Sequence, residues 1–147
     1  MRVHDTPGLR VVARPDALDT AVWCVAEGSS DRGRPSVLRF APDEAFGMVG
    51  LGGSVEIDDP FAIVVEEAGF ISISFEVEEF EHFVAPHVEW PIPEQRPTFA
   101  QGAIAGVPAK IDVHGGQATV LVARAYADEL LTRLGISARL PGSPFAP

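Results

Sequence analysis

The sequence predicts an α+β fold: an antiparallel sheet with helices packed on one face, in a ferredoxin-like type of layout. Three observations carry this. In "GFISISF", Ile71, Ile73 and Phe75 alternate with Ser72 and Ser74, the period-two pattern of a half-buried strand. In "AKIDVHGGQATVLVAR", the alternating Ala109, Ile111 and Val113 meet a continuous apolar run across the hairpin turn "HGGQ". The continuous run suits a central strand buried on both faces. In "AYADELLTRLG", Ala127, Leu130, Leu131 and Leu134 form an i, i+3, i+4, i+7 stripe, with Gly135 as C-terminal cap.

The elements follow in order. "GLRVVARPD" reads as a short strand stopped by Pro15. "DALDTAVWCVAEG" divides into a helix over residues 17–20 and a strand through "AVWCVAE", although its apolar spacing alone leaves both open. "GSSDRGRP" is a polar loop. "SVLRFAPDEAFGMVG" is strand, proline-led turn, strand. "SVEIDDP" and "FAIVVEE" are two further strands, split at Asp58, Asp59 and Pro60. After "GFISISF" comes a helix, with Val77, Phe80, Val84 and Val88 near helical spacing and Pro86 ending it.

The second half then reads β–α–loop–β–β–α, and the hairpin around "APDE" is expected to complete its sheet. The chain of 147 residues is expected to form one domain over residues 1–140, followed by a Pro-rich tail.

Composition narrows the function. A net charge of −10, with Lys110 the only lysine and the arginines scattered singly, excludes a nucleic-acid partner. The same acidity repels anionic membranes, and no apolar run approaches the roughly 20 residues a spanning helix needs. The N-terminus lacks the apolar region of a signal peptide, and Cys24 is the lone cysteine. A cytoplasmic, reducing location is expected.

No constellation assembles an active centre. His82 and His87 are five residues apart, where a helical metal pair needs three or four. His4 and His114 fall at a terminus and in a turn, so no metal and no cofactor is expected. Cys24 has no neighbouring cation to lower its pKa and reads as a buried structural thiol. Glu76, Glu78, Glu79 and Glu81 read as a solvated helix face, and "GLGGS" lacks the spacing of a phosphate loop.

The stretch "WPIPEQRPTFAQGAIAGVPAKI" is different. It holds four prolines and two glycines, and it carries Trp90, Ile92, Phe99, Ile104 and Val107. Large apolar groups in a loop read as an interface or the mouth of a pocket, or as a lid over the domain's own sheet. The stretch is expected to cross from helix to strand without regular structure, its glycines permitting close backbone approach.

"VLRFAPDEAFGMVG", "AIVVEEAGFISISF", "GAIAGVPAKIDV" and "VLVARAYADELLTRL" resemble the gamma subunit of heterotetrameric sarcosine oxidase. More loosely they resemble the folate-binding glycine-cleavage T-protein superfamily. The shared order of motifs covers residues 37 to 134. This chain is shorter than usual members and lacks the small-residue turn after the acidic strand, and the motifs do not place the folate-binding acid. No catalytic residue is therefore carried over. The resemblance implies a ferredoxin-like half of the folate-protein fold, serving as an accessory subunit without its own active centre. The functional expectation is a non-catalytic domain in a hetero- or homo-oligomer, docking on a flavin- or folate-dependent oxidoreductase. The alternative is a stand-alone binder of a folate-like small molecule.

Overall fold

A computed structural model describes residues 1–28 and 35–142 of the chain. Most of the polar loop "GSSDRGRP" and the last part of the Pro-rich tail lie outside the described residues. In chain order the elements are β1 (Arg2–Asp5), β2 (Gly8–Val12), α1 (Pro15–Asp19), β3 (Val22–Cys24), β4 (Val37–Ala41), β5 (Glu44–Gly47), β6 (Ser54–Glu56) and β7 (Ile63–Glu67). They continue with β8 (Phe70–Glu76), α2 (Val77–Phe83), β9 (Thr98–Ile104), β10 (Val107–His114), β11 (Gln117–Ala123) and α3 (Arg124–Arg133). The fold is α+β, with more strand than helix and every strand pairing antiparallel. The chain divides into two compact units, Met1–Asp5 with Gly69–Pro147, and Thr6–Ala68.

The first unit is built on a five-stranded sheet in the order β1-β8-β11-β10-β9. Strand parity sorts its side chains. Ile71, Ile73 and Phe75 of β8, Val120 and Val122 of β11, and Ile111 and Val113 of β10 share one face and are buried there. Phe80 and Val84 from α2 and its C-cap, and Leu130 and Leu131 from α3, join the same cluster. Both helices therefore cover one face, as expected. Each fully buried aliphatic side chain contributes about 1.5–3 kcal/mol.

The turns explain the connections. Gly115 and Gly116, at φ +55 and +80, join β10 to β11 by a two-residue turn with both residues left-handed. α3 ends in Gly135 at φ +70, where Ile136 N–H bonds the Leu131 carbonyl and Gly135 N–H bonds that of Thr132. Ile136 also packs on the core, the hydrophobic contact that accompanies this cap. Of the tail, Leu140 is buried in the same core, and Arg124 donates to the Pro141 carbonyl.

Three expectations are corrected. The sheet of this unit is completed by β1, while the "APDE" hairpin, β4–β5, belongs to the other unit. Residues 98–104, read as loop, form β9, the terminal strand of this sheet, paired along its length with β10 and bridged at Ile104 by Val88. The unit thus runs β–α–β–β–β–α after β1, resembling a ferredoxin-like layout only in its opening β–α step and its antiparallel pairing. Pro108 is tolerated inside β10 because the β10–β11 ladder starts only at Lys110, so a missing N–H there breaks no bond to β11.

The second unit carries a four-stranded sheet, β4-β5-β2-β7, and the separate pair β3-β6. Val11, Ala13, Leu18 and Ala45 form its core, with Trp23, Val55, Ile57 and Ala62 packed against it. Proline at the first position starts α1, and β3 follows it, matching the helix-then-strand reading of "DALDTAVWCVAEG". Asp59 fastens the loop before β7: its carboxylate accepts from Arg14 N–H and from Phe61 N–H, each at 2.9 Å.

Cys24 is exposed, which corrects the expectation of a buried thiol. The cause is strand parity. Trp23 turns inward onto the core, so its neighbours Val22 and Cys24 turn outward.

Candidate functional site

The Trp90 stretch folds back on its own unit. Val88 bridges to Ile104, Glu89 N–H bonds the Ala103 carbonyl, and Ala105 N–H bonds that of His87. The Glu89 carboxylate accepts from Gly106 N–H at 3.0 Å, and Arg133 donates to the Ala105 carbonyl at 2.6 Å. The indole of Trp90 then lies on Gly102 of β9. A Cβ built on Gly102 would stand 2.5 Å from Trp90 Cε3, so only glycine leaves room for the ring. The other tryptophan repeats the device: a Cβ on Gly47 of β5 would stand 2.2 Å from Trp23 Cε3.

The five expected interface or pocket residues are therefore not brought together as one surface. Ile104 and Val107 are 0% and 2% exposed and belong to the core, because β9–β10 parity turns both toward the helices. Neither side chain reaches the surface. Trp90 and Ile92 pack half-buried against the same core. Phe99 lies on the opposite face of the sheet, across from Asp112. The Trp90 Nε1 atom is buried without a hydrogen-bond acceptor among the described residues.

The face opposite the helices carries chemistry that the sequence did not single out. Asp112, Thr119 and Ser74 stand side by side on β10, β11 and β8. His114 Nδ1 lies 3.2 Å from an Asp112 carboxylate oxygen. Burial pushes the Asp112 carboxyl above its ordinary range, and the nearby His114 offsets part of that shift through charge and hydrogen bonding. Among the described residues, no group of three or more His, Cys, Asp or Glu is placed to hold a metal ion, and no helix is long and apolar enough to cross a membrane.

A third feature lies at the edge of the four-stranded sheet. β7 is its terminal strand, hydrogen-bonded to β2 alone. Phe61, Ile63, Val64 and Val65 are 88%, 60%, 44% and 48% exposed. Ile63 stands opposite Val12, also exposed, so the apolar surface runs across two strands. Glu66 and Glu67 end the strand, and neither has an ion-pair partner among the described residues.

The class defined by these features is an α+β protein of two small antiparallel-sheet units. Comparison goes no further: no protein-family model, no curated protein and no solved structure matches the chain.

Proposed function

We propose that this chain is a protein-interaction subunit that docks on a larger protein and has no active centre of its own. The observation that carries the reading is the exposed apolar run at residues 61–65. Exposed large side chains grouped on a sheet edge, rather than scattered singly, are what an association surface presents. The partner class, a flavin- or folate-dependent oxidoreductase, rests on the family resemblance of residues 37 to 134. Size-exclusion chromatography of the chain alone and co-expressed with the products of adjacent genes tests the reading. Co-elution with one of them supports it. Elution alone in every pairing, together with catalytic turnover by the isolated chain, overturns it.

One observation favours the second reading, a stand-alone folate-like binder. The unpartnered Trp90 indole N–H is a buried donor that a ligand acceptor would satisfy. Titration with tetrahydrofolate or a flavin, read by tryptophan emission, decides it; a flat titration removes this reading.

A further inference from the structure

We propose that the free edge of β7 takes an extended, basic and apolar segment of a partner protein as an added antiparallel strand. The proposal rests on the interaction-subunit reading and names its partner chemistry. Hydrogen bonding comes first. β7 bonds β2 on one side, and its other row of N–H and C=O groups faces no strand among the described residues. Edges of this kind are ordinarily guarded by charged side chains, above all lysine, by proline, by a bulge or by extreme shortness, and the only charges on β7 are Glu66 and Glu67 at its C-terminal end. β7 has five residues with no proline, lysine or glycine, and its register with β2 runs without a shift.

Side chains give the second argument. Ile63 and Val65 lie on one face of β7 and Val64 on the other, all exposed. An added strand would cover them with alternate residues of its own, as cross-strand pairs do.

Charge selects the occupant. Glu66 and Glu67 put two carboxylates at one end of the edge, on a chain of net charge −10. An antiparallel partner would meet them with the residues at its N-terminal end. The fitting segment therefore reads basic, basic, then three apolar β-formers. A second copy of this chain is disfavoured, since two such acidic chains repel.

The test uses the full chain and fluorescein-labelled peptides, read by anisotropy. One peptide is Lys-Lys-Ile-Val-Val-Thr, the second Glu-Glu-Ile-Val-Val-Thr, and the third is the first with N-methyl groups at alternate residues. The lysine peptide should bind about tenfold tighter than the glutamate peptide, the size expected of two exposed charge pairs changing sign. Glu66→Lys with Glu67→Lys should reverse that order, and N-methylation or Val64→Lys should abolish binding. Circular dichroism checks that each variant is folded, and the exposed positions chosen make folding robust.

Equal affinities, no binding, or undiminished binding of the N-methylated peptide would overturn the proposal. So would a wild-type dimer in sedimentation that Val64→Lys dissolves, because it would assign the edge to a second copy. A co-purifying partner whose affinity ignores all these variants would overturn the edge assignment and leave the interaction-subunit reading standing. Peptide binding as expected, with no partner co-eluting in any pairing, would do the reverse.

Discussion

Gly102→Ala tests whether the Trp90 stretch is a lid on its own sheet. The added Cβ would stand 2.5 Å from Trp90 Cε3 and 2.8 Å from Cδ2 and Cζ3. All three contacts involve a rigid ring, so the indole must retreat by about 1 Å to regain ordinary van der Waals distance. Overpacking of this kind costs about 1–3 kcal/mol, and the lower chain entropy of alanine in the unfolded state returns about 0.4–1 kcal/mol. The net expectation is a loss of about 1–2 kcal/mol. The assay is urea denaturation followed by emission in a Trp23→Phe background, so that only Trp90 of the first unit reports. Gly102→Ala should lower the midpoint and shift Trp90 emission to the red. Trp90→Phe, with a smaller ring, should recover part of the loss. Trp90→Ala should cost about 3 kcal/mol, the low end for a large aromatic, because the ring is only half-buried. A neutral or stabilising Gly102→Ala with unchanged emission would refute the placement of the indole. It would return Trp90 to the role of an exposed anchor.

Three further outcomes follow from single residues. Cys24 should react with a maleimide under native conditions at the rate of an accessible thiol, and Cys24→Ser should leave the urea midpoint unchanged; slow labelling would contradict its outward position. The Asp59 carboxyl is held below its ordinary value of 3.8 chiefly by the N–H groups of Arg14 and Phe61. Its contribution is therefore full above pH 3.8 and is lost as pH falls through the lower folded value; Asp59→Ala should lower Tm at pH 7 and converge with wild type in strong acid. Asp112 has the opposite sign. Burial raises its carboxyl above 3.8, so the folded state holds the proton longer and stability falls as pH rises through that window. Asp112→Asn should raise Tm at pH 7 and gain nothing below pH 3.8, and an Asp112→Asn variant less stable at neutral pH would show that His114 outweighs burial.

The parts of the fold legible in the sequence are those whose signals are local. Alternation in "GFISISF", the glycine pair of the β10–β11 turn and the leucine stripe of α3 each fall within a dozen residues, and each element stands where expected. β9 was hidden because its neighbourhood is dominated by proline, and because its turn to β10 is Ala105–Gly106. Ala105 takes φ +49 without the Asn or Asp that usually marks a left-handed turn residue. β1 was hidden because "RVHD" offers one apolar residue, and its pairing with β8 spans nearly half of the chain. Pairing partners are non-local, so periodicity could find the "APDE" hairpin but not its sheet.

The same reasoning divides the candidate sites. Ile104 and Val107 were apolar residues of an apparent loop; once β9 exists, parity makes them core. Gly102 is a point of close approach, as a glycine in this stretch suggests, and what approaches it is Trp90. The β7 edge was illegible because a continuous "IVV" run reads the same whether a strand is central or terminal. The Asp112–His114 pair joins two residues of one strand, and nothing in their spacing announces the burial that perturbs the acid.

Amide hydrogen exchange across β7 tests the central claim most directly. The full chain is compared with and without saturating Lys-Lys-Ile-Val-Val-Thr peptide, and protection is read residue by residue over Ile63–Glu67. The account predicts slowed exchange at the alternate β7 amides that do not bond to β2, with β9, one of the two terminal strands of the five-stranded sheet, unchanged. Protection appearing at β9 or spread evenly over the chain, with β7 still exchanging freely, would contradict it.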